Sequence, residues 1–445
     1  MSGKSDKKKS LVPRLRFPEF REAGAWEVKR LGGIYRFKPT NSWSRDQLNY
    51  DSGTIKNIHY GDIHKELNST FRIDDEVVPY VNDTLADSVK EGAFCEEGDI
   101  VLADASEDVD DIGKAIEIVN IGGQRLVSGL HTILVSRIDH RIVVGFGAYL
   151  HASSGVRKQI QQRAQGAKIL GISKAQLAEV KLAYPTEARE QQKIAHCLSS
   201  LDEVIWLQAK KVQALKQHKK GLMQQLFPAE GETTPRLRFP EFREAGAWEK
   251  KRLGTQGGFL TPLSGKSAKD FDAGDAKFIP YMNVFSNTFT DIQDLRSVII
   301  TDDESQNAVA KGDVFFTVSS ETPEEAGMSS VLLGDVDRCY LNSFCALFRF
   351  DDHLSPNLIF LGYLLRSRSV RCHLSRGAQG ATRYNISKLV FKELPLVFPL
   401  AKEQQKIAHC LSSLDEVIGL ESHKLDTLKN LKKGLMQQLF PQEVA

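Results

Sequence analysis

The sequence predicts an α+β chain built twice: two tandem α/β domains separated by two long antiparallel coiled-coil helices, with pseudo-twofold symmetry. Residues 13–27 (PRLRFPEFREAGAWE) recur unchanged as residues 235–249. Residues 190–205 (EQQKIAHCLSSLDEVI) recur unchanged as residues 403–418, and the likeness continues through KKGLMQQLFP to Pro228 and Pro441. After each of these second repeats the apolar residues take a heptad spacing. Two long matches in the same order define an internal duplication.

The ends of the two copies are fixed while their middles vary. The offset between copies falls from 222 residues (13 to 235) to 213 (190 to 403), so the second unit is nine residues shorter inside. Residues 34–184 and 255–398 are largely dissimilar, yet Glu97-Gly98-Asp99-Ile100-Val101 faces Lys311-Gly312-Asp313-Val314-Phe315. Gly166-Ala167 followed by Ile172-Ser173-Lys174 likewise faces Gly380-Ala381 followed by Ile386-Ser387-Lys388. One fold carries two different surfaces, which suits two ligands of one class. Short β-branched runs at 116–121, 132–136 and 331–333, broken by Gly and Asp, predict strands.

The expected boundaries are a flexible basic tail (1–12), a first domain with the repeated leading segment (13–184), a first helix (185–228), a short polar linker (229–234, AEGETT), a second domain (235–398), and a second helix and tail (399–445). The first helix places Ile194, Leu198, Leu201, Ile205, Val212, Leu215, Leu222 and Leu226 on alternating steps of four and three, the seam of a coiled coil. The second repeats it with Ile407, Leu411, Leu414, Ile418, Leu425, Leu428, Leu435 and Leu439. Even the interruptions agree: Gln208 and Glu421 at one seam position, Lys219 and Lys432 at another. Polar residues in such a seam fix register or partner. About forty residues make a rod of roughly 60 Å. Equal helices in equal units would lie antiparallel, with one domain at each end.

The net charge of +2 decides nothing by itself; a nucleic-acid-binding face shows as local basic clustering. From His140 to Ala178 there is no acidic residue, while Arg141, Arg157, Lys158, Arg163, Lys168 and Lys174 are present. From His353 to Lys392 the same holds, with Arg366, Arg368, Arg371, Arg376, Arg383, Lys388 and Lys392. Corresponding basic segments in otherwise mixed domains suit phosphate binding. In each, a helix with most of the arginines leads into a glycine loop, where Gln165 and Lys168, or Gln379, Thr382, Arg383, Tyr384 and Asn385, could meet base edges. The alternative for any one of them is a solvated basic helix and an ordinary turn.

Other chemistries lack their residues. Ser264-Gly265-Lys266-Ser267 fails as a phosphate-binding loop because Leu260 stands where the first glycine belongs. The histidines show no metal-ligand spacing, the acidic stretch 99–111 reads as a solvated loop, and there is no Asn-Pro-Pro-aromatic motif. Six cysteines form no C-x-x-C pair, which suits a reducing compartment, and Cys197 and Cys410 read as small buried residues. No apolar run spans a bilayer and no signal-peptide pattern precedes residue 13, so a cytoplasmic location is expected.

On residues 13–26, 235–248, 190–205 and 403–418, which bracket two variable regions, the whole chain resembles the specificity subunits of Type I restriction-modification systems. The resemblance implies two target-recognition domains, each reading one half of a bipartite, asymmetric site in double-stranded DNA, with the helices setting the spacing. It also implies a non-catalytic chain that docks two modification subunits, which methylate adenine with S-adenosylmethionine. Two restriction subunits, cleaving with ATP and Mg, would join them; none of these cofactors would touch this chain. A self-sufficient DNA-modifying enzyme and a stand-alone DNA-binding or scaffold protein are the competing readings.

Overall fold

The computed structural model describes residues 11–442 apart from 66 and 302; nearly all of the expected basic tail lies outside the described residues. Packing divides the chain into two units. One runs to Ala209 and includes the chain from His423 onward; the other is Lys210–Ser422. The division falls inside both long helices, so each unit contains half of each helix.

In the first unit a five-stranded sheet has the order Tyr35–Lys38, Thr132–Arg137, Ile100–Ala103, Ala115–Asn120, Thr70–Arg72. Its neighbours are antiparallel except for the last pair. The central strand is apolar throughout because both of its faces are covered. Ile100 and Leu102 enter one core with Ile133 and Val135, while Val101 and Ala103 enter another with Ile116 and Leu134. This is the period-2 alternation of a strand applied to two cores. The second unit repeats the arrangement with Gly257–Leu260, Cys345–Phe350, Val314–Thr317 and Ser329–Val331. Val314 and Phe316 face one core, Phe315 the other. The last of these strands precedes the β-branched run expected at 331–333 by two residues.

The matching Gly-Asp turns before the central strands are structural. Asp99 is buried, accepts from the Glu96 backbone N–H at 2.9 Å and pairs with Lys38 at 3.1 Å. Asp313 accepts from Ala310 N–H at 2.7 Å and pairs with Arg349 at 2.7 Å. The acidic stretch 99–111 is therefore not one solvated loop: it begins with a buried ion pair and strand, and only its end is exposed.

The repeated leading segments are invariant because each clamps a helix start. Arg16 makes a buried, two-pronged pair with Glu190 at 2.6 and 2.8 Å, and its third nitrogen reaches the Ala23 carbonyl. Arg238 does the same with Glu403, at 2.8 Å for both prongs, and with Ala245. Planar guanidinium on carboxylate is the geometry that makes such a pair strong, and lysine could not replace it. Trp26 then packs on Phe146 and Phe440, and Trp248 on Phe227 and Phe360.

The long helices run Ala188–Leu226 and Ala401–Leu439, 39 residues and about 58 Å each. Within the second unit Lys219 contacts Asp415 and Lys211 contacts Glu421, so the two segments there run antiparallel. Within the first unit Leu435 and Leu439 join the core of Ile194 and Leu198, and Lys432 meets Asp202. Of the seam residues, Ile194, Leu198, Val212, Ile407, Leu411 and Ile418 are buried; Leu201, Ile205, Leu215, Leu414, Leu425 and Leu428 are half-buried. The seam lysines are satisfied twice over. Lys219 lies 2.6 Å from Asp415, which also accepts from the Tyr363 hydroxyl at 2.7 Å, and the ammonium sits 5.0 Å from that ring. Lys432, Asp202 and Tyr149 form the same triad in the first unit. All six cysteines are free thiols, and Cys197 and Cys410 are half-buried rather than buried.

Candidate nucleic-acid interface

Each unit carries a short, closed ribbon on its variable surface. In the first, Leu170–Gly171 pairs with Ala105–Ser106, and Gln165 exchanges both backbone hydrogen bonds with Gly171, at 3.0 and 2.8 Å. In the second, Tyr384–Asn385 pairs with Ser319–Ser320, and Gln379 exchanges both with Asn385, at 2.9 and 2.8 Å. The loop between is so tight that only glycine fits. Gly166 has φ +141° and Gly380 +146°, and a Cβ on either would stand 1.9 Å from the carbonyl oxygen of Ile169 or Arg383. Serine starts the next turn in both copies, Ser173 accepting from Gln176 N–H and Ser387 from Val390 N–H.

The rigid loop presents its side chains outward. Gln165 and Lys168 are exposed in one unit, and Gln379, Thr382, Arg383 and Asn385 in the other, with Tyr384 half-buried beside them. Thr382 and Arg383 line a surface groove with Glu321. A guanidinium, amides and a hydroxyl on a fixed backbone can meet base edges and phosphates.

The basic helices (Ser154–Arg163 and Arg368–Gly377) require a correction. Arg371 is the equivalent of Arg157, and both turn inward. Arg371 donates to the carbonyls of Gly327, Glu324 and Ala326, and Arg157 to that of Asp110 at 2.9 Å. Arg366 donates to four carbonyls, of Ser329, Val284, Phe285 and Asn287. Burial lowers all three pKa values, to about 10 for Arg366 and Arg371, which leaves those two charged at neutral pH. Arg366 and Arg371 thus hold loops through backbone carbonyls rather than reaching outward for phosphate, and Arg157 does so with one nitrogen while its buried Nη1 has no partner among the described residues. Arg163 is half-buried and folds back onto the Gln159 carbonyl at 3.0 Å. Arg376 is exposed but pairs with Glu230. Lys158 and Arg368 are exposed, as a phosphate contact requires.

Next to each ribbon the structure brings up aromatic residues that composition could not single out. In the first unit the Tyr60 ring lies 5.3 Å from His131 and 5.8 Å from His64. His64 Nε2 is 3.0 Å from the Ala105 carbonyl of the ribbon, and His131 Nδ1 is 3.3 Å from Asp104. In the second, the Tyr281 hydroxyl donates to the Ser319 carbonyl at 2.7 Å, and Phe344 is 68% exposed. The signal lay in equivalent positions of two dissimilar middles, which no repeat match exposes. Among the described residues no group of His, Cys, Asp and Glu could hold a metal ion, and Lys266 of the failed phosphate loop is taken up by Glu304.

Comparison with known proteins follows the duplication. A family model described as Type I restriction modification DNA specificity domain matches residues 24–217 and 248–430. The MjaVIII Type I restriction enzyme specificity subunit of Methanocaldococcus jannaschii is 24% identical over 321 residues, covering 70% of this chain and 73% of its own. A chain named for the MjaX specificity subunit of the same organism is 22% identical over 431 residues, 93% of this chain and 92% of its own. Among solved structures, the S subunit of a Type I restriction-modification system from M. genitalium superposes with TM-score 0.55 at 13% identity, covering 98% of this chain and all of that one. A chain from a study of complex assembly and conformational transition of the type I R-M system gives 0.55 at 16% identity, covering 94% and 98%. At these identities the superpositions speak for the fold.

Proposed function

The chain belongs to the Type I restriction-modification DNA specificity family, and on that premise we propose that it reads a bipartite, asymmetric site, one half with each variable domain. It is a DNA-recognising, non-catalytic specificity subunit of a restriction-modification complex. The observation that carries the bipartite reading is the ribbon built twice on the same backbone with different outward side chains: Gln165 and Lys168 in one, Gln379, Thr382, Arg383 and Asn385 in the other. A fixed frame with exchanged donors and acceptors is what reading two different sequences demands.

Catalysis then belongs to partners: two modification subunits methylating adenine with S-adenosylmethionine, and two restriction subunits using ATP and Mg. Support for paired docking comes from the repeated helix segments. Each exposes the same apolar pair, Val204 and Leu207 in one copy, Val417 and Leu420 in the other. The complex would act in the cytoplasm; no helix among the described residues is long and apolar enough to cross a membrane.

Purified alone, the chain should neither methylate nor cleave DNA, and adding its modification subunits should yield adenine methylation at a two-part motif. Methylation or cleavage by the isolated chain would refute this reading.

A further inference from the structure

Phe344 and His131 occupy one backbone position in the two units. Phe344 precedes the strand Cys345–Phe350 and its carbonyl accepts from Val318 N–H, just before the ribbon strand Ser319–Ser320. His131 precedes the strand Thr132–Arg137 and its carbonyl accepts from Asp104 N–H at 3.0 Å, just before Ala105–Ser106. Both residues are therefore tied through their backbone to the segment that leads into the recognition ribbon.

Each ring is held outward by its own device. In the second unit, buried Asn342 accepts from the Phe344 backbone N–H at 2.9 Å and donates to the Ile279 carbonyl at 2.9 Å. The turn is fixed, and an apolar ring that could have folded under is left 68% exposed. In the first unit His131 has φ 53°, a left-handed conformation that a histidine adopts at some cost. Its ring leans on Tyr60, and its side chain is 51% exposed. A large rigid aromatic exposed beside polar readers, at the same place twice and with different chemistry, is suited to discriminating ligands.

Resting on the specificity-subunit reading, we propose that Phe344 and His131 are specificity-determining residues: Phe344 makes apolar contact with a thymine methyl group in one half-site, and His131 hydrogen-bonds a base edge in the other. The methyl group is the apolar feature of the major groove, and an imidazole nitrogen can donate to or accept from base edges there.

The test uses the complete complex with its modification subunits. Methylation of unmethylated genomic DNA defines the motif of the wild type, of Phe344→Ala and of His131→Ala. Duplexes carrying the wild-type motif, with each thymine of the second domain's half replaced by uracil, then measure binding. One uracil should weaken wild-type binding roughly 5- to 10-fold, the scale of a lost base contact. Phe344→Ala should bind more weakly throughout and be indifferent to that uracil. His131→Ala should lose base preference at one position of the opposite half only. The inference is overturned if Phe344→Ala binds like the wild type or responds to uracil as it does. It is equally overturned if that half holds no thymine, or if His131→Ala leaves the motif unchanged or alters the same half. A wild-type complex with no motif would instead refute the underlying reading.

Discussion

At the scale of the residue, charge and role separate. Arg371 and Arg383 look alike in sequence, but one is spent on three carbonyls and the other stands in the groove beside Thr382. Arg371→Ala should destabilise the second unit by about 2–4 kcal/mol, since it strips donors from buried carbonyls. Arg383→Ala should leave melting unchanged, weaken DNA binding and lower the slope of log affinity against log salt by about one. Urea melts and salt titrations of the complex check both. Two buried groups of the first unit predict an opposed pH response. Burial pushes the Glu117 carboxyl up to about 7 and the His151 imidazole down to about 4. A raised carboxyl lets the folded state hold a proton that the unfolded state releases, so Glu117 costs stability as pH rises from about 4.5 to 7. A lowered histidine does the reverse: stability is lost as pH falls from about 6.5 to 4. Each effect is about 3 kcal/mol at most. Glu117→Gln should therefore raise the melting temperature at pH 8 and leave it unchanged near pH 4; equal shifts at both would contradict the assignment. The sequence hid these residues because nothing in a lone Glu or Arg tells whether its neighbours will bury it.

Among elements, what was legible is what repetition and period encode. The heptads marked the stretches that form the helices Ala188–Leu226 and Ala401–Leu439, and the repeated interruptions marked Lys219 and Lys432 as polar seam positions. Their partners stayed illegible: heptad spacing does not say which carboxylate each lysine meets, and Tyr149 and Tyr363 come from the variable regions. Lys219→Ala should destabilise the second unit by about 1–3 kcal/mol by leaving Asp415 to Tyr363 alone. Lys219→Met combined with Asp415→Leu and Tyr363→Phe should recover most of that loss, because neither a charge nor the Tyr363 hydroxyl is then left unpaired. Chemical denaturation of the two variants compares them. Equal losses would mean that the pair itself, not the stranded charge, carries the stability. The glycine loops were legible as matching positions because Gly166 and Gly380 recur between dissimilar middles, and the reason only glycine fits is the carbonyl of Ile169 or Arg383 that a Cβ would meet at 1.9 Å. Arg157, Arg366 and Arg371 turn inward although a run free of acidic residues suggests phosphate binding, because backbone carbonyls can accept from a guanidinium and no sequence pattern marks them.

For the whole molecule, duplication makes the prediction modular. Each unit has its own sheet, cores, clamp and ribbon, so each can diverge on its outward side chains while the repeated segments stay fixed. This explains why the unchanged repeats flank middles that share little beyond a Gly-Asp turn and a Gly-Ala loop. Two independent readers should exchange independently. The most direct measurement replaces residues 255–398 with the corresponding middle of another family member and maps adenine methylation by the assembled complex across a genome. The predicted result is a motif in which one half changes and the other is retained base for base. A chimera that folds and methylates but alters both halves, or neither, would contradict the account of two separate readers on one repeated frame.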